Sequence, residues 1–109
     1  MLVVLFASLA GCTPATVAKS NTSAGTASTL GGDATLGAKI FVANCSVCHG
    51  ATGREGGTIG PSLRAERQRM TFAATVSWIE DPQPPMPKLY PQPLSEAQVR
   101  DIAAYVQSL

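Results

Sequence analysis

The sequence predicts an all-α domain of three main helices, and three observations carry the prediction. Apolar residues recur at helical spacing in three segments, these segments carry helix start or stop signals, and no alternating β-branched run competes with them. In the first segment Asp33 or Thr35 can cap the helix. Leu36, Ile40 and Ala43, with Gly37 and Phe41, then give two adjoining stripes that run into Cys45. The second helix is expected to begin near Thr71, to carry Phe72, Val76 and Ile79 at i, i+4 and i+7, and to stop before Pro82. The third has the clearest boundaries. Ser95 and Gln98 form a capping box, Leu94 and Val99 suit a hydrophobic staple, and Val99, Ile102, Ala103, Val106 and Leu109 line its apolar face.

The folded part spans residues 33–109, a length at which a side-chain core alone gives only marginal stability. The staple is read from Cys45-Ser46-Val47-Cys48-His49, which has the form of a c-type haem attachment site. On a helical turn Cys45, Cys48 and His49 stand at i, i+3 and i+4, so two thiols and an imidazole point to one side. The thiols suit thioethers to the two haem vinyl groups, with His49 as the proximal iron ligand. A zinc site would need four N or S ligands, yet outside this string the 109-residue chain holds no other His and only Cys12 as a further Cys. A thioredoxin-like pair would need a βαβ context, which is missing. The expected architecture is therefore three main helices packed around one covalently attached haem, a large apolar disc that lets so short a chain fold.

From residue 33 onward seven basic side chains face seven acidic ones, a balance that argues against nucleic acid as a partner. The start of the chain reads differently. Leu2 to Ala10 is apolar but short of the about 20 residues that span a bilayer, and suits the core of a secretory signal. It ends in Leu9-Ala10-Gly11-Cys12, which resembles the lipobox of bacterial lipoproteins, although no Lys or Arg precedes the apolar run. The resemblance implies a signal peptide over residues 1–11 and lipid on Cys12. Residues 12–32 follow as a flexible tether rich in Ser, Thr, Ala and Gly, holding a single charge at Lys19.

Two methionines remain candidates for the sixth iron ligand once Met1 leaves with the signal. Met70 precedes the second helix and reads as a core or cofactor-edge filler. Met86 lies in Pro82-Gln83-Pro84-Pro85-Met86-Pro87, a loop stiffened by fixed φ angles, and is the assigned ligand.

The order of these features resembles the class I, mono-haem cytochrome c family across residues 34–109. Gly37 and Phe41 stand where that family's first helix crosses its last, and Tyr105 where the last helix supplies a facing aromatic. Gly60-Pro61-Ser62-Leu63 is similar to the family's Gly-Pro-x-Leu segment, which implies that Pro61 packs on the proximal side and that its carbonyl accepts the His49 Nδ1 proton. The Met86-Pro87 loop is similar to the family's Met-Pro loop. Trp78 stands where many relatives place an indole that bonds a haem propionate, a partly buried core tryptophan being the alternative. Arg64, Arg67 and Arg69 offer propionate partners or a solvated face.

What the resemblance implies is one-electron transfer by a monomer. His49 and Met86 fill both axial positions of the iron, and no catalysis is expected. Electrons would pass between redox protein donors and acceptors of respiratory or photosynthetic chains, at the periplasmic or extracytoplasmic face of a bacterial membrane. The competing readings are a haem enzyme or gas sensor with an open sixth position, and a thiol or zinc module without haem.

Overall fold

The computed structural model describes residues 31–109, so the signal, the lipidation site at Cys12 and all but the last two tether residues lie outside the described part. Its helices are α1 (Ala34–Asn44), α2 (Ser46–His49), α3 (Phe72–Glu80) and α4 (Glu96–Gln107), with a 3-10 turn at Glu66–Gln68. No strand occurs among the described residues. The described part is all-α, as the sequence predicts, and the one-turn α2 lies within the Cys45–His49 motif.

Asp33 starts α1 and also ties it to α4. Its carboxylate accepts from the amides of Thr35 (2.8 Å) and Leu36 (3.1 Å), while its own amide donates to Asp101 Oδ1 at 2.8 Å. The two helices cross at Gly37, where a Cβ would lie 1.9 Å from the Asp101 carbonyl oxygen and 2.9 Å from Tyr105 Cβ. One turn on, Phe41 is buried and its ring meets Tyr105 at 5.3 Å and 60°, the tilted arrangement that aromatic pairs favour.

Of the two expected stripes of α1, the crossing selects the one that the family resemblance places against the last helix. Gly37 and Phe41 are the buried line of α1, whereas Leu36 is 48% exposed and Ala43 is exposed. A helix can press only one narrow line against its neighbour, and the side-chain-free Gly37 decides which. Replacing Gly37 with Ala is expected to force the helices apart and cost about 1–3 kcal/mol or more in urea unfolding. An unchanged midpoint would contradict the close crossing.

Thr71 caps α3 by accepting from the Ala74 amide at 3.1 Å, and the helix ends at Asp81, before Pro82. Its fully buried line is Thr75 and Ile79, not the expected Phe72, Val76 and Ile79; Phe72 and Val76 are partly buried against the core. Phe72 instead lies under the Arg100 guanidinium, 5.3 Å from the ring centre. Thr75 tolerates burial because its hydroxyl donates to the Thr71 carbonyl at 3.0 Å.

The start of α4 matches expectation. Ser95 and Gln98 form both bonds of the capping box (2.9 and 3.3 Å), and Leu94 and Val99 on either side are buried in one core. Ile102, Ala103 and Val106 continue that face against Phe41 and Ile79. Gly31 and Gly32 already lie on α4, with the Arg100 guanidinium donating to the Gly31 carbonyl at 3.1 Å.

Candidate haem site

Cys45 ends α1, and helical bonding resumes immediately beyond it: the amides of Cys48 (3.2 Å) and His49 (3.1 Å) both donate to the Cys45 carbonyl. The motif is thus wound as one turn, as the spacing predicts. Cys45 and Cys48 are not joined by a disulfide. Burial, reinforced by the neighbouring Cys48, pushes the Cys45 thiol up to about 11, so it stays protonated near neutrality.

The chain then loops back over the motif. The Gly60 amide donates to the Cys48 carbonyl at 3.0 Å, and the Pro61 carbonyl lies 2.8 Å from His49 Nδ1. A carbonyl can only accept, so Nδ1 donates to it, which leaves Nε2 as the ring nitrogen for a ligand bond. Only glycine fits at position 60, where a Cβ would meet the Cys48 oxygen at 2.8 Å and His49 Nδ1 at 2.9 Å. The loop is fixed at its far side by Tyr105, whose hydroxyl donates to the Thr52 carbonyl at 2.7 Å. The Thr52 hydroxyl and amide also hold the Glu55 carboxyl below the usual carboxylate range.

All six residues that the sequence names for the cofactor, Cys45, Cys48, His49, Pro61, Trp78 and Met86, line one cavity of about 640 Å³. That is within the about 300–1,000 Å³ typical of cofactor sites. The body of its wall is apolar, built from core side chains such as Phe41, Ile79, Ile102 and Val106 together with Leu63 and Leu89. An apolar chamber carrying two thiols, an imidazole lone pair and a thioether fits a haem with covalent attachment and axial ligation. It does not fit zinc: among the described residues no group of three or more His, Cys, Asp or Glu side chains could hold a metal ion.

Trp78 lines this cavity and is 44% exposed. Met70 lines the same cavity as Met86. Of the three arginines, Arg69 reaches the wall, whereas Arg64 and Arg67 are exposed and do not.

Two buried polar residues, Glu66 in the wall and Gln107 behind it, are not singled out by sequence reasoning. Glu66 is buried in the wall and paired with Arg69; it hides in a charge run that reads as solvated, and its only signal is the i, i+3 spacing to Arg69. Gln107 is buried at the end of α4, donating to the Thr75 hydroxyl (2.8 Å) and the Met70 carbonyl (3.1 Å). Its signal was a polar residue four positions after Ala103 on an otherwise apolar face.

Comparison with known proteins agrees with this geometry. The family described as cytochrome C oxidase, cbb3-type, subunit III matches residues 32–106. A Synechocystis protein named cytochrome c-553-like is 40% identical over 81 residues, covering 73% of this chain and 72% of that protein.

Proposed function

Since the chain belongs to the cytochrome c family, whose members hold haem c covalently and carry electrons, we propose that this is a membrane-tethered one-electron carrier with His49 and Met86 as axial ligands. Cys45 and Cys48 carry the two thioethers. The observation that supports this assignment is the single apolar cavity shared by Cys45, Cys48, His49 and Met86.

The haem supplies an Fe(III)/Fe(II) couple when bound. His49 contributes an Nε2 lone pair on a ring whose orientation and basicity are held by the Pro61 carbonyl at 2.8 Å. Met86 contributes a soft thioether, which favours Fe(II) and raises the potential. Its neighbours Pro85 and Pro87 have fixed φ angles, so little backbone freedom is lost when the sulfur is held in place. With His49 and Met86 both committed as ligands, a bound haem would have no open site for substrate. Pro61 would pack on the His49 side, and Trp78 would be available to hydrogen-bond a propionate. A spectroelectrochemical titration tests the reading: low-spin six-coordinate spectra in both oxidation states and a single one-electron wave support it, and a high-spin five-coordinate spectrum refutes it.

Residues 1–11 act as a lipoprotein signal and Cys12 carries lipid, with residues 12–32 as the leash to the domain over 33–109. The carrier then works as a monomer at the extracytoplasmic face, between redox proteins of a respiratory or photosynthetic chain. No helix of the described residues is long and apolar enough to cross a membrane. Native protein is expected in the membrane fraction and Cys12→Ser as unprocessed precursor or soluble protein, because stable anchoring requires more than one acyl chain. Soluble native protein with an unmodified N-terminal cysteine would contradict the anchor.

A further inference from the structure

We infer that Glu66 and Arg69 form a charge pair built into the cavity wall that sets the reduction potential of the bound haem, Glu66 lowering it and Arg69 raising it. The inference rests on haem occupying this cavity.

Apart from the ligand His49 and the two cysteines, Glu66 and Arg69 are the only ionisable acidic or basic side chains among the described residues that line the cavity. The Glu66 side chain is 11% exposed, which is unusual for a carboxylate unless it is paired. It is paired here: Arg69 Nη2 donates both to the Glu66 carboxylate and, at 3.1 Å, to the Ser62 carbonyl.

The backbone imposes this placement. Ala65 stands at φ 57°, ψ 31°, a left-handed conformation that alanine seldom adopts, and the 3-10 turn carrying Glu66 begins from it. The Ala65 amide donates to the Leu109 carbonyl at 3.1 Å, so the strained residue is fastened to the end of α4. Of the charges in this run, Arg64 and Arg67 stay exposed and off the wall, Arg69 reaches it while exposed, and Glu66 alone is buried.

A charge in an apolar wall acts through an effective dielectric of about 20, against about 80 for one in water. Reduction removes one positive charge from the iron, so a nearby carboxylate opposes it and a nearby guanidinium favours it. The pair is unequally screened, since the Arg69 side chain is 56% exposed against 11% for Glu66. Glu66 therefore has the larger effect, and one less sensitive to salt.

Redox titration of the haem-loaded full chain tests the pair. Glu66→Gln, a nearly isosteric change, is expected to shift the potential upward. Arg69→Gln shifts it downward by less, and the double variant falls between them. Glu66→Asp keeps the charge and stays near the parent value. A purely packing role would lower the unfolding midpoint of each variant with no opposed shifts in potential. Should Glu66→Gln fail to load haem, the half-exposed Arg69 still decides: Arg69→Gln and Arg69→Glu must lower the potential progressively. Shifts of one sign, or none, in a haem-loaded protein overturn the pair alone. A parent chain without haem absorbance overturns the reading beneath it as well.

Discussion

Replacing both Cys45 and Cys48 with Ala is expected to leave a chain that neither retains haem nor folds. The side chains facing the cavity, Phe41, Ile79, Ile102 and Val106 among them, are also the core of the domain. At about 24 cal/mol per Å³, leaving about 640 Å³ unfilled would cost on the order of 15 kcal/mol. That equals the upper end of the roughly 5–15 kcal/mol by which a whole domain is stable. The cavity opens to solvent, so collapse and wetting lower the figure, yet about half of it would still exceed the lower end of that range. Far-ultraviolet circular dichroism and protease resistance measure the outcome. A folded, protease-resistant double variant without haem would show that the helices do not depend on the staple.

Met86→Ala is expected to have the second largest effect, on chemistry more than on folding. Loss of the thioether should open the iron to water or added ligands, abolish the weak near-infrared Met–Fe(III) charge-transfer band and lower the potential. Met86→His should also lower it, within the roughly 0.8 V range that axial ligands span. Met70→Ala is the control, because Met70 lines the same cavity. Its side chain is only partly buried, so the cost should lie near or below the lower end of the about 2–5 kcal/mol seen for fully buried methionines, with the band retained. Persistence of the band in Met86→Ala together with its loss in Met70→Ala would exchange the two roles.

The parts of this molecule that were legible in the sequence are those written in local chemistry. Caps at Asp33, Thr71 and Ser95 and the stop at Pro82 depend on neighbours within a turn, and each coincides with an observed helix boundary. The turn from Cys45 to His49 is equally local, and the family resemblance supplied the long-range bond from His49 to Pro61 that no spacing could give. What escaped was decided by tertiary contact. By periodicity Leu36 looks as apolar as Phe41; the family resemblance singled out Gly37 and Phe41, and the close approach of α4 at Gly37 is the physical reason that Leu36 stays exposed. Thr75 and Gln107 are polar residues at core positions, stable there because each meets the other, across 32 positions of sequence. Glu66 goes unremarked in the sequence because nothing local announces the left-handed turn at Ala65 from which its 3-10 turn begins.

The central claim, covalent haem on this motif, is tested most directly by mass. After acid–acetone treatment, which breaks axial bonds and spares thioethers, the mature chain should still exceed its polypeptide mass by one haem. After digestion, that excess should remain on the peptide carrying Cys45 and Cys48. A chain of bare polypeptide mass, with haem released into the acetone, would contradict it.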